Sequence, residues 1–243
     1  AKKLIDKNLS KDDSNYYLIY GKIHKKEKNY KDALTSFKES IKKGNINAIY
    51  EYGKMLLKGY GKPVNIDEAI SYFKKAADNG CAQAMYQYGI ELKKQNIIEE
   101  GNEYIFQSAD NGNLNALYEY SKILEEFYDN KFESDIYLSK AAKGGHPEAM
   151  YKYGIRLFLN HNFNDALLFL SNASEKGNID AIHFYSTLLF IQYGLDYNNK
   201  KANKLIRIAA YNGNIEAMIK YAYILIYYSI KGVDIKEDPI DYF

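Results

Sequence analysis

The chain has 243 residues, with Lys+Arg 33 against Asp+Glu 31 and a net charge of +2. That balance, with Arg156 and Arg207 as the only arginines, argues against nucleic acid as the main partner, because arginine forks are preferred for phosphate and base readout. A hydrophobic content of 47% with 3 Pro argues against a disordered linker, and the single cysteine, Cys81, leaves no intramolecular disulfide and no thiolate metal cluster.

Residues 1–15 read as the end of a preceding helix B or as an N-terminal cap. They hold no apolar stretch of the kind a secretory signal needs, and the lack of an initiator Met is what a piece of a longer chain would show. From residue 16 a repeat takes over. The string Gly-x-x-x-Ala occurs at Gly44/Ala48, Gly80/Ala84, Gly112/Ala116, Gly145/Ala149, Gly177/Ala181 and Gly213/Ala217. With each Ala counted as position 0, Tyr stands at position 4 (Tyr52, Tyr88, Tyr120, Tyr153, Tyr185, Tyr221), a small residue at position 5 and Leu at position 8. An earlier unit fits with Tyr16 at position 0, followed by Tyr20, Gly21 and His24. This spacing is one face of a helix, helix A.

A second helical period follows in each unit, as in Ala33-Phe37-Ser40-Ile41, Ala69-Phe73-Ala76-Ala77 and Gly101-Ile105-Ser108-Ala109. This is helix B. Asp32, Asp67 and Asn164/Asp165 are expected to cap its start, and the Gly of each Gly-x-x-x-Ala to end it in the left-handed region. The units are 16–47, 48–83, 84–115, 116–148, 149–180, 181–216 and a partial 217–243 that stops inside its helix B. Longer A–B loops are expected at Lys58 to Asn65 and Tyr193 to Asn199. One helix pair cannot bury its apolar stripe alone, whereas stacked pairs can. The fold class expected is therefore all-α, an α-solenoid of stacked helix–turn–helix repeats in a right-handed superhelix, with no domain boundary inside the array.

The second unit carries Gly59-Tyr60-Gly61-Lys62-Pro63-Val64-Asn65-Ile66-Asp67-Glu68-Ala69 and ends Ala76-Ala77-Asp78-Asn79-Gly80. The Gly-x-Gly-x-x-Val loop, the Asp before helix B and the Ala-Ala-x-x-Gly end resemble the Sel1-like repeat, a relative of the tetratricopeptide repeat. The resemblance runs from about residue 16 to the end, where Lys231-Gly232-Val233 looks like the same loop again. It departs in having Tyr at position 4 and Leu at position 8, where the family usually has the reverse. The resemblance implies a non-enzymatic protein-binding scaffold or adaptor. It leaves open the regulatory repeat region of a larger enzyme such as a protein kinase. A secreted, disulfide-rich branch of hydrolases fits poorly with a single cysteine.

The sequence shows no catalytic motif. His24, His146, His161 and His183 form no zinc-protease pattern, and neither Gly-x-Ser-x-Gly nor a P-loop occurs. His24 is expected in the core or at its rim, His146 in a turn, and Cys81 as a half-buried small residue. Glu99-Glu100 and Glu125-Glu126 read as solvated charges around the A–B loops. No catalytic residue, cofactor or metal ligand is assigned.

Positions 2, 6, 9 and 10 of helix A point away from the core, and by analogy with tetratricopeptide arrays they line a concave groove. The N-terminal units place lysines there over a row of tyrosines, and the C-terminal units place apolar side chains there. The candidate partner-binding residues are Lys22, Lys54, Tyr86, Tyr118, Tyr151, Phe158, His183 and Phe190. Exposed apolar patches mark binding sites and aromatic anchors dominate interface energy, so a protein or peptide is the expected partner. Cover by the rest of the same polypeptide and membrane contact are the alternatives for the apolar end, and open repeat ends can self-associate. No membrane span is expected. The compartment expected is the cytoplasm, with the endoplasmic-reticulum lumen as the alternative.

Overall fold

The structure, a computed structural model, describes residues 9–192 and 200–230, without the side chains of 190–192, 200, 201, 228 and 229. The described residues form α-helices and no strand. They are α1 (Ser14–Lys26), α2 (Tyr30–Lys42), α3 (Ile46–Leu57), α4 (Ile66–Asp78), α5 (Ala82–Lys94), α6 (Ile98–Asp110) and α7 (Leu114–Tyr128). They continue as α8 (Lys131–Lys143), α9 (Pro147–Leu159), α10 (Phe163–Glu175), α11 (Ile179–Gln192), α12 (Lys200–Tyr211) and α13 (Ile215–Ile230). Odd-numbered helices are the A helices and even-numbered ones the B helices. The chain divides into two compact units, Ala1–Ile123 and Leu124–Phe243. In the first, consecutive helices pack on one another from α1 through α6; in the second, they do so from α8 through α13.

Helix boundaries follow from short polar signals. The residue after each Gly of Gly-x-x-x-Ala is the N-cap of an A helix. The side chains of Asn45, Asn113, Asn178 and Asn214 accept from the backbone N–H of Ala48, Ala116, Ala181 and Ala217 at 3.2, 3.1, 2.7 and 2.9 Å. His146 does the same through Nδ1 to Ala149 at 3.3 Å, so this turn histidine is a cap. Cys81 takes the cap position of α5 without a side-chain capping bond, its thiol donating instead to Gln83 Oε1 at 3.5 Å, and is buried rather than half-buried, at 6% exposure.

The B-helix caps lie upstream of where the sequence suggested. Asn29, Asn65 and Asn162 are the cap residues, while Asp32, Asp67 and Asp165 sit inside the first turn. Asn164 also lies within α10. A carboxylate in the first turn is favoured there by the helix dipole rather than by capping geometry. The Lys58–Asn65 loop separates α3 from α4 as expected; Tyr193 to Asn199 lies outside the described residues.

At the other end of each B helix the chain turns on a left-handed residue. At Gly80 (φ +85°) the Gly80 N–H donates to Ala77 O at 2.8 Å and the Cys81 N–H to Ala76 O at 3.0 Å. These two bonds close the helix C-terminus, and only glycine adopts that φ without steric cost.

Alanine fills the repeat core. Ala48, Ala84, Ala116, Ala149, Ala181 and Ala217 are all fully buried. The small residue at position 5 lets each A helix close on its B helix: a β-carbon on Gly53 would meet the Phe73 ring at 2.9 Å, and one on Gly154 would meet Leu170 at 2.9 Å. Around these contacts Phe37, Tyr52, Met55, Leu56 and Phe73 form the interior of the first unit, and Leu138, Leu170, Ile206 and Ile224 are buried in the second. Ser40 and Ser108 replace alanine in helix B at no polar cost, since their hydroxyls donate to the carbonyls of Ser14 and Ala82 at 2.7 and 2.6 Å.

Candidate partner-binding surface

Positions 2, 6 and 9 of the A helices α3, α5, α7 and α9 are partly exposed on one arc, with position 3 beside them, whereas Leu18, at position 2 of α1, is buried in the core rather than pointing away from it. In the first unit position 3 decides what the lysines of the arc do. Glu51, at position 3 of α3, accepts from Lys25 at position 9 of α1 (3.0 Å) and from Lys54 at position 6 of its own helix (2.8 Å). The arrangement recurs two repeats later. Glu119 of α7 meets Lys93 of α5 at 3.8 Å and Lys122 at 2.6 Å. In the repeat between, all three positions change together, to Leu57, Gln87 and Ile90.

The tyrosines at position 2 stand over this ladder. Lys54 lies 4.4 Å from the centroid of the Tyr50 ring, and Lys122 lies 5.3 Å from that of Tyr118. These are cation–π distances. Tyr50, Tyr86 and Tyr118 are each half-buried. Burial first, and then the Glu51 charge, push the Tyr50 phenol up to about 12. Burial and Glu119 raise that of Tyr86 as well. The Tyr50 and Tyr86 phenols therefore stay protonated, each offering a hydrogen-bond donor on an apolar body. Burial also raises the Glu51 carboxyl, but the hydrogen bonds and charges of Lys54 and Lys25 outweigh it, and the net displacement is downward.

In the second unit the same position pair is aromatic. Phe158, at position 9 of α9, packs edge-on to Phe184, at position 3 of α11, with ring centroids 5.7 Å apart, and to Phe163 at 5.3 Å. Tyr151 is half-buried, and burial with the Asp180 charge raises its phenol. His183 lies 3.3 Å from the Lys220 ammonium and 3.5 Å from a Glu216 oxygen. Burial, then Lys220, lower its imidazole below the ordinary histidine value. Arg156 is engaged by both Glu125 and Asp135, so Glu125 is a bonded residue within α7 and not a free loop charge. Glu99 and Glu100 lie exposed in the first turn of α6.

The eight candidate residues thus occupy different environments. Lys22 is exposed, whereas Lys54 is paired and stacked. Tyr86, Tyr118 and Tyr151 are half-buried on the arc, Phe158 is half-buried against two phenylalanines, and His183 is held by Lys220. The Phe190 side chain lies outside the described residues. Sequence reasoning missed position 3, although the matched changes Lys25/Glu51, Lys93/Glu119 and Phe158/Phe184 at a constant offset carried the signal. Among the described residues no cluster of His, Cys, Asp and Glu is placed to hold a metal ion, and no helix is long and apolar enough to cross a membrane.

Comparison with known proteins places this geometry in context. The Sel1 repeat family model matches residues 46–81 and 82–113, and a model of plant tetratricopeptide repeats matches 130–208. The crystal structure of a Sel1 repeat protein from Oxalobacter formigenes superposes with a TM-score of 0.73 at 22% identity, covering 90% of this chain and 93% of that one. The protein c5321, a protective antigen of uropathogenic Escherichia coli with an SLR fold, gives 0.73 at 18% identity, covering 96% of this chain and 53% of that one. This chain therefore spans about half the length of c5321. The immunity protein PA5088 from Pseudomonas aeruginosa gives 0.52 at 16% identity, covering 86% and 82%. A search of the curated proteins finds no match. At these identities the likeness is one of fold: an α-solenoid of stacked helix–turn–helix repeats.

Proposed function

Because this chain is built of Sel1 and tetratricopeptide-like repeats, a fold commonly used as a protein-interaction scaffold, we propose that it is an adaptor whose A helices hold a protein or peptide partner. Repeat families of this kind are typically non-enzymatic, and the proposal assigns the chain no catalysis of its own. The observation that carries it is the row of half-buried tyrosines at position 2. Tyr86 and Tyr118 in the first unit and Tyr151 in the second keep part of each ring outside. Rings already fixed by their neighbours lose little freedom when a partner covers them. Nucleic acid is not the proposed ligand, and the cytoplasm is the proposed compartment, in keeping with Cys81 as a buried free thiol.

The test is capture from native lysate on the full chain beside a Tyr86→Ala/Tyr118→Ala variant with unchanged far-ultraviolet circular dichroism. A protein retained by the first and lost by the second is the expected result. Equal retention by both, or retention by neither, removes the tyrosine row as the binding surface.

A further inference from the structure

At the A–B loop edge of the first unit a cleft of about 400 Å³ opens between the first two repeats. Five lysines line it: Lys22, Lys25 and Lys26 from the last turns of α1, Lys28 from the α1–α2 turn, and Lys58 after α3. One carboxylate faces them, that of Glu51, and its two oxygens are already taken by Lys25 and Lys54. Among the described residues, Lys22, Lys26, Lys28 and Lys58 have no carboxylate within ion-pair distance. Tyr30 and Tyr60 complete the wall, stacked on each other with centroids 4.6 Å apart and an interplanar angle of 7°. A concave site that gathers like charges focuses a field that attracts the opposite charge.

A second feature of the same cleft points the same way. Lys28 is in the left-handed backbone region, with φ 63°. The later tight turns put Asn96, Asp129 and His161 in that conformation, and the longer loop uses Gly59. Those residue types tolerate it better than lysine does. The chain accepts a backbone cost here and places a fifth ammonium at the cleft, and such local strain gathers at functional positions.

The geometry points to this cleft as the seat of an acidic peptide segment of a partner, one that presents several Asp or Glu side chains. The inference rests on the reading of the chain as a scaffold and adds the chemistry of one partner segment. Ammonium groups are point charges that meet separate carboxylates one by one, and the cleft contains no arginine for bidentate phosphate recognition. Tyr30 and Tyr60 spend a face each on the other ring, and the Lys58 ammonium lies 6.0 Å from the Tyr60 centroid, which reduces the aromatic face open to a stacking nucleobase.

The test measures fluorescence anisotropy with the full chain and a labelled peptide of alternating glutamate and glycine. Its glutamine counterpart, a single-stranded oligodeoxynucleotide and inorganic tripolyphosphate serve as competitors. The glutamate peptide is expected to bind, and to weaken several-fold from about 50 to about 300 mM salt, because exposed charges are screened over roughly 10 Å near 0.1 M. Lys26→Gln/Lys58→Gln is expected to lose affinity by at least about tenfold. Lys74→Gln/Lys75→Gln, which removes the same charge from exposed positions on α4 away from the cleft, is expected to leave it unchanged. No binding, equal binding by the Lys26/Lys58 variant, or equal loss in the Lys74/Lys75 variant overturns the assignment. Stronger binding of the oligonucleotide or of tripolyphosphate overturns the peptide as its ligand. None of these results touches the tyrosine row, whose own test is the Tyr86/Tyr118 variant, so the two readings fail separately.

Discussion

Gly89 of α5 and Gly101 of α6 each make room for the other's carbonyl. A β-carbon on Gly89 would stand 2.7 Å from the Gly101 oxygen, and one on Gly101 would stand 2.8 Å from the Gly89 oxygen. This is where a helix A and its helix B approach backbone to backbone. Helix propensity alone favours alanine over glycine by about 1 kcal/mol in a helix interior. The contact reverses that sign, because a backbone carbonyl cannot rotate away as a side chain can. Gly89→Ala is expected to destabilise the chain by about 1–3 kcal/mol net, read as a lower urea midpoint by circular dichroism. A midpoint raised by the substitution would mean that the two helices separate without cost.

Lys28 offers the opposite trade. A left-handed φ costs a non-glycine residue about 1–2 kcal/mol, and glycine gives back about 0.5–1 kcal/mol through its freer unfolded chain. Lys28→Gly is therefore expected to raise stability by up to about 1 kcal/mol while weakening the glutamate peptide in the anisotropy assay. Stability and affinity moving in opposite directions would identify the strain as the cost of placing a charge. A drop in stability would show that the Lys28 side chain contributes more packing than the backbone loses.

Glu51 couples the ladder to the cleft. Its carboxyl lies below the ordinary range in the folded chain, since Lys54 and Lys25 outweigh the effect of burial. The unfolded chain binds the proton more readily. The ladder's contribution is thus complete above the ordinary carboxyl value near 4.5 and is lost as pH falls through the lower, folded value. Glu51→Gln is expected to cost about 1 kcal/mol at neutral pH, with the difference shrinking in acid. It also releases Lys25 and removes the one negative charge of the cleft, so the glutamate peptide should bind more tightly to the less stable protein. Unchanged peptide affinity would place the carboxylate outside the cleft's field.

What the sequence made legible, and what it did not, divides along the number of helices involved. The six Gly-x-x-x-Ala strings each perform local jobs: the glycine turns left-handed, the alanine is buried, and both can be read along one strip of chain. The A-helix caps Asn45, Asn113, Asn178 and Asn214 were equally local and stood in the second letter of the same string. The B-helix caps were misplaced because an Asp in the first turn and an Asn before it are both favoured at helix starts, for different physical reasons. Position 3 was invisible to a single-helix argument. A period of 3.6 tells which side chains share a face, whereas the neighbour met by that face depends on how two helices cross. The lysine cleft needs more still, since Lys28 and Lys58 converge only after α2 has folded between them.

His183 supplies a titration that can be read directly. Burial and Lys220 hold its imidazole below the ordinary 6.5, against the opposing charges of Glu216 and Asp180. The unfolded chain takes the proton first, so this residue's contribution to stability is complete above 6.5 and declines as pH falls toward the folded value. In a proton-NMR titration the His183 ring is expected to have a midpoint below 6.5. Lys220→Met should move that midpoint up, and Glu216→Gln should move it down. A midpoint that ignores Lys220→Met would leave burial as the sole cause.

The equivalence of Lys25/Glu51 and Phe158/Phe184 makes the repeat register testable by exchange. Both pairs join position 9 of one A helix to position 3 of the next, one by an ion pair at 3.0 Å and the other by ring contact at 5.7 Å. Phe158→Lys alone sets an ammonium against an aromatic edge and gives up the contacts with Phe163 and Phe184; the expected loss is about 1–3 kcal/mol. Phe184→Glu alone is expected to cost a similar amount. In the double variant the new side chains can form the pair that the first unit already uses. The double variant should then be more stable than the sum of the single losses implies, by about 0.5–1 kcal/mol in a double-mutant cycle from urea unfolding. Strict additivity would mean that the two helices hold these positions at different spacings in the two units, and that the shared offset in sequence does not carry a shared geometry.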